Sequence, residues 1–194
     1  MLEALSMDTF KRQPGNFEYA TQPTKHAQLW RFDRTKYGEL LLHSDPYQDL
    51  QQLLPSDLYM DKIRTDKELR WVYSIKELVG TVRPDCWKDR AEHLPQIALR
   101  RKEGDELVGF ALTTFFGYYS HGYVIPERRG QGLLAIMLNE LTKRQLQMGM
   151  HPFCLIRQDN TSSQRATGKA EGWEKTDVTV LRCGFIATHA YMTA

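Results

Sequence analysis

Val124-Ile125-Pro126-Glu127-Arg128-Arg129-Gly130-Gln131-Gly132-Leu133-Leu134 joins an apolar, β-rich segment to the strongest helical pattern in the chain. A Pro-Glu turn leads into two glycines with two arginines beside them. One Ser or Asp would be enough to cap a helix. Glycines at 130 and 132 instead let the backbone approach a ligand without interference from a Cβ. The first N–H groups of a helix have no intrahelical acceptor, and the helix dipole favours negative charge there. Arg129 adds a fixed charge and a forked donor. The stretch reads as an anion site, with a solvated turn as the plainer alternative. It is neither a P-loop, since no Gly-Lys-Ser/Thr follows, nor a GxGxxG fingerprint.

Downstream, residues 132–149 carry Leu134, Met137, Leu138 and Leu141 at i, i+3, i+4 and i+7, with Met148 extending the stripe and Gly149 as a stop. Residues 153–157 read as a short apolar strand. Asp159-Asn160-Thr161-Ser162 opens a shorter helix to about residue 171, and Gly172-Trp173 follows. Residues 178–182 and 185–188 close the chain as β-type segments, broken at Gly184. Upstream, residues 96–102, 107–116 and 118–125 read as three antiparallel strands, joined by the turn Glu103-Gly104-Asp105-Glu106 and by Gly117. The order β-β-β-α-β-α-β-β predicts an α/β domain with a parallel crossover over 118–157.

Before Pro95 the pattern is weaker. Residues 1–25 read as a polar arm, and 26–194 as a single domain whose most legible half is 95–194. Residues 26–33 suggest a strand. Asp45-Pro46 opens a short helix to Leu54, and Ser56-Asp57 can cap another segment towards Ile63. Residues 71–79 settle no class.

Composition bounds the rest. The chain has 194 residues, 41% hydrophobic and 26% charged, with a formal net charge of +2. Such a small charge argues against a nucleic-acid or anionic-membrane partner. The cluster Arg100-Arg101-Lys102 reads as a solvated face. Three widely spaced cysteines and no CxxC fit a reducing, cytoplasmic setting without a disulfide framework. The six histidines show no metal-binding spacing. No apolar run approaches the ~18–20 residues of a membrane span.

Arg129-Gly130-Gln131-Gly132-Leu133-Leu134 resembles the R/Q-x-x-G-x-G/A acyl-CoA pyrophosphate loop of the GNAT acyltransferase superfamily. Val124-Ile125-Pro126-Glu127-Arg128 is similar to that superfamily's V-x-P-E-x-R-G run. The long helix, short strand, Asn160 with Ser163, short helix and Gly172-Trp173 where the family has Gly-Phe agree. The match covers about half the chain. GYVIPERRGQGL followed by N-x-x-S most resembles the glycine-N-acyltransferase-like branch.

The resemblance implies a mixed, mostly antiparallel central sheet with helices on both faces. It also implies acetyl-CoA or another acyl-CoA as cosubstrate. Backbone amides of Gly130, Gln131, Gly132, Leu133 and Leu134 would take the pyrophosphate, with Arg129 beside them. The main chain of Val124 and Ile125 would pair with the pantetheine arm. Asn160 would reach the cosubstrate and Ser163 would line the same wall, unless they serve only as helix cap and first-turn residue. Two positions depart from the pattern: Leu134 stands where the family prefers Gly or Ala, and Gly168 where many relatives carry a proton-donating Tyr.

The implied reaction is transfer of an acyl group to a primary amine of a small molecule or amino acid, within a ternary complex. It needs a polarised carbonyl, a base and close approach. A backbone N–H near Val124 would polarise the carbonyl. Tyr118 occupies the position of an acidic base in the branch, and an ordinary phenol near 10 is a poor one. Ser120 would order a water. His121 has a better intrinsic pKa, but strand alternation turns it to the opposite face unless a bulge re-aims it. The alternatives are a CoA-binding module without turnover, or acylation of a protein N-terminus or lysine. The chain would act as a monomer or homodimer.

Overall fold

The computed structural model describes residues 18–21, 25–44, 47–75, 84–182 and 185–188. They divide into two compact units. In the first, β1 (Glu18–Thr21) pairs antiparallel with β9 (Phe185–Thr188), from Glu18 opposite Thr188 to Thr21 opposite Phe185. Part of the stretch read as a polar arm is therefore a strand.

The second unit, 25–182, holds the remaining elements. They are β2 (Lys25–Phe32), α1 (Arg34–His43), a 3-10 segment (Tyr47–Leu53), β3 (Leu58–Asp61), α2 (Asp66–Ser74), α3 (Pro84–His93), β4 (Gln96–Arg101), β5 (Leu107–Thr113), β6 (Tyr119–Val124), a 3-10 turn (Pro126–Arg128), α4 (Leu133–Gln147), β7 (Phe153–Arg157), α5 (Thr161–Lys169) and β8 (Trp173–Arg182). The sheet order is β3-β4-β5-β6-β7-β2-β8. Every neighbouring pair is antiparallel except β6 and β7. The expected strands, helices and parallel crossover after Pro95 are present.

The first half differs from expectation. Ser56-Asp57 precedes the edge strand β3, not a helix. Residues 71–74 complete α2, whose entry is a capping box: Thr65 accepts from the Glu68 amide while Glu68 reaches back to Thr65. β2 lies between β7 and β8, and the Gln28 side chain mends an irregularity there by donating to the carbonyls of Thr176 and Val178 (the latter at 2.9 Å).

Helices cover both faces. On one face Ile97 and Leu99 of β4, Val108 and Ala111 of β5 and Val124 of β6 pack against Leu133, Met137 and Leu141 of α4. On the other, Ala98, Phe110 and Leu112 meet Leu69 and Val72 of α2. Around β7 and β2, Trp30, Phe32, Cys154 and Ile156 pack with Leu138 and Leu146 of α4, Leu41 of α1 and Trp173. Each fully buried Leu contributes about 1.5–3 kcal/mol. The α4 stripe starts one residue earlier than its periodicity suggests: Leu133 is buried, Leu134 is half-buried and Met148 is 58% exposed.

Arg100, expected on a solvated face, is 1% exposed. Leu99 faces α4, so alternation turns Arg100 towards α2, where its guanidinium forks onto Glu68 at 2.6 and 2.9 Å and donates to the Lys62 carbonyl at 2.9 Å. Burial raises the Glu68 pKa, but hydrogen bonds from Arg100 and from the amides of Arg64 and Thr65 outweigh it and hold the carboxyl below its usual range.

Candidate active site

β6 and β7 share one registered pair, Tyr119 with Cys154. Beyond it no further pairs join them, which leaves residues 120–124 without a strand neighbour on the β7 side. Five residues at about 3.3 Å each give about 16 Å of unpaired edge. Both strands run towards the same end of the gap, where α4 and α5 begin. That is the crevice at the carboxyl ends of parallel strands in which α/β sheets place ligands.

β6 carries an extra residue against β5. Phe110 pairs with Tyr123, but Leu112 pairs with Ser120. The surplus falls at His121-Gly122, and His121 adopts φ +56°, a left-handed conformation uncommon for a residue with a Cβ. Consequently Tyr119 and Val124 both pack towards α4 although five positions separate them. His121 thus leaves simple alternation through a bulge, two residues past the last β6–β7 pair, and is half-buried. Ser120 precedes it, opposite Leu112.

Tyr118 stands at the closed end. Its ring stacks on exposed Phe116 (6.5 Å, 9°) and meets Phe153, the first residue of β7, at 5.6 Å. Six residues separate it from Val124, about 20 Å along the strand, so the structure does not bring it to the glycine loop.

At the open end Gly130 and Gly132 have φ of +81° and +76°. A Cβ at either would meet no atom within 4 Å. Gly132 is the N-cap of α4 with no side-chain cap bond. Ala135 and Ile136 donate to the Gly132 carbonyl at 3.0 and 3.3 Å, and the amides ahead of them have no acceptor inside the helix. Gly130, Gln131 and Gly132 are exposed, whereas Leu133 is 2% exposed and anchors the helix in the core.

The two arginines hold the loop in place. Arg128 pairs with Asp57. Arg129 Nε donates to the Val124 carbonyl at 3.0 Å, and its guanidinium lies 5.4 Å from the Tyr123 ring centroid. The Ile125 amide donates to Val108 of β5 at 2.9 Å, so by alternation the main-chain groups of Val124 face the gap. Of the backbone pair expected to dock an extended ligand, the Val124 carbonyl and the Ile125 amide are thus engaged within the protein.

Leu134, which departs from the motif, has its place. A Cβ on Gly122 would overlap Tyr119 Oη and come within 2.8 Å of Leu134 Cδ1. Leu134 therefore packs over the bulge and fills the space that Gly122 leaves. Asn160 is the N-cap of α5, and its Oδ1 accepts from the Ser163 amide at 3.1 Å. A Cβ on Gly168 would lie 3.6 Å from the Trp30 ring. Sequence reading passed over Tyr119; the signal available was the Tyr118-Tyr119 pair ahead of a Gly that alternation alone does not explain. A cavity of about 320 Å³, lined by Asp49, Gln51, Glu140, Lys143 and Arg144 among others, lies on the outer side of α4, away from this gap.

No family model matches the chain, and no curated protein matches it. Solved structures do. A Drosophila protein aligns with a TM-score of 0.68 at 15% identity, over 82% of this chain and 50% of its own. A GCN5-related N-acetyltransferase from Sphaerobacter thermophilus aligns at 0.56 and 14%, over 88% and 55%. An acetyltransferase of the GNAT family from Colwellia psychrerythraea aligns at 0.56 and 15%, over 87% and 58%. The chain spans between about half and three-fifths of these structures' lengths. The chain has the fold of the GCN5-related N-acetyltransferases.

Proposed function

We propose that the chain binds an acyl-CoA in the gap between β6 and β7 and transfers its acyl group to a primary amine of a small molecule or amino acid. One observation carries this reading: a glycine-lined helix entry without a side-chain cap stands at the mouth of a parallel strand pair that separates after one residue. The residues suit an anionic, elongated ligand. Open space above Gly130 and Gly132 admits a pyrophosphate to the amides of residues 130–134. The unpaired edge of β6 offers the Val124 amide to an extended arm.

The bound thioester would supply an activated acyl group. The protein's part is to hold it beside the amine and polarise its carbonyl through a backbone amide at the β6 edge. His121, set off from alternation by the bulge, is the candidate for accepting the amine's proton. The resemblance to the glycine-N-acyltransferase-like branch supports a small amino-acid acceptor.

The reading is tested by thermal unfolding with acetyl-CoA and longer acyl-CoA thioesters. A rise in Tm that saturates below millimolar ligand is expected, and Gly132→Asp should abolish it. No shift with any thioester would end the proposal. A second reading, binding without turnover, is favoured by Gly168, which leaves the neighbouring helix without a proton donor. Steady thiol release with any amine of a panel would exclude it.

A further inference from the structure

Tyr119 opens β6 and forms the last pair with β7. Its side chain packs on the α4 face and runs forward along the strand, so that Oη reaches the bulge at Gly122, three residues ahead. The phenol therefore lies beside the first part of the unpaired edge, where the gap is narrowest. Three features hold it there. Gly122 has no Cβ to occupy the site, Leu134 Cδ1 closes it from the α4 side, and Cys154 lies opposite on β7.

We infer that Tyr119 Oη is the hydrogen-bond donor to the sulfur that departs when the acyl group is transferred. The inference rests on the reading above. An acyl-CoA whose pyrophosphate sits at residues 130–134 and whose arm follows β6 ends at the narrow end of the gap, where the hydroxyl is. In the reaction the amine nitrogen bonds to the thioester carbon and the carbon–sulfur bond breaks, leaving its electron pair on sulfur. The phenol stabilises that charge by donating, and its proton stays on oxygen. The proton lost by the amine reaches sulfur through solvent, so the products are an amide and a thiol.

A donor that is never a base suits this role. Burial, with the Cys154 thiol beside it, pushes the phenol well above its usual pKa of 10, so it remains protonated across the physiological range. Burial likewise pushes the Cys154 thiol up, against a hydrogen bond with Thr167, so this neighbour stays neutral. His121 is the other titratable side chain at the bulge. The arrangement supplies what Gly168 lacks, from a strand instead of a helix.

The test needs no acceptor. Free CoA is bound to the wild-type chain and to Tyr119→Phe, and the bound thiol is titrated through the ultraviolet absorbance of its thiolate, with Tm shifts recording binding. A charge-assisted hydrogen bond predicts a thiol pKa lower by about one to two pH units in the wild type than in the variant. Equal titration in both, with binding intact, would overturn the role of Tyr119 and leave the acyl-CoA reading standing. Failure of CoA to raise the Tm of the wild type would overturn both. Phe keeps the ring that packs between α4 and β6, so the variant's own Tm should stay close to that of the wild type.

Discussion

The helices α4 and α5 start at the same end of the sheet, each after one strand of the same parallel pair, yet they begin differently. α5 satisfies itself: Asn160 folds its side chain onto the Ser163 amide. α4 begins at a glycine in the left-handed region, with open space above it and no cap. α1 and α2 follow the α5 pattern, with Asp33 and Thr65 as caps. A helix that leaves its first amides without a partner gives up about 1 kcal/mol of stability. In this domain that occurs at the entry lying beside the gap, which ties the uncapped end to ligand binding and the capped ends to stability.

Four substitutions would break or sharpen that contrast. The largest effect is expected at α2, where Glu68 serves both the capping box and buried Arg100. Glu68→Ala should cost about 3–5 kcal/mol, because a guanidinium that is 1% exposed loses its partner. Denaturant midpoints would show it. The Glu68 pKa is depressed in the folded state, so its contribution is complete above the unfolded glutamate value and disappears as pH falls through the folded one. A Glu68→Met, Arg100→Met double variant should therefore lose less stability than the wild type on acidification below about pH 4.3.

Next comes Gly132→Asp, which places a Cβ at positive φ and a carboxylate in the proposed pyrophosphate cradle. Affinity for acyl-CoA should fall about 100-fold, equivalent to about 2.7 kcal/mol, as read by calorimetric titration. Asn160→Ala should do the reverse. It should lower stability by about 1 kcal/mol and leave acyl-CoA affinity within about twofold; a large loss of binding there would erase the distinction between the two helix entries. The smallest effect belongs to Gly130→Ala. With no neighbour in reach, only the left-handed backbone is penalised, at about 1–2 kcal/mol in stability at most, and binding should weaken a few-fold.

What the sequence disclosed follows the range over which each signal acts. The strands and helices from Pro95 onward are local patterns of alternation and 3.6-residue periodicity, and they appear where those patterns put them. The glycine loop is equally local. Insertion of β2 between β7 and β8 is not: Gln28 bonds to Val178, and nothing near residue 28 announces it. Arg100 misleads for the same reason, since its burial depends on Glu68 in a helix 32 positions away. The bulge at His121 is intermediate. Alternation predicts one face, and only the β5 register shows that an extra residue shifts every later side chain. Leu134 departs from the motif until Gly122 is seen beneath it.

The place of β2 also has a consequence for synthesis. Phe32 leaves the ribosome about 150 residues before Arg182, the end of its β8 partner. At about 5–20 residues per second that is about 8–30 s during which β2 has no sheet to join. One wall of the β6–β7 gap is braced by that late strand pairing. A nascent chain can thus assemble β3 to β6 and α4 early, yet it completes the ligand crevice only when one of its earliest strands meets one of its last.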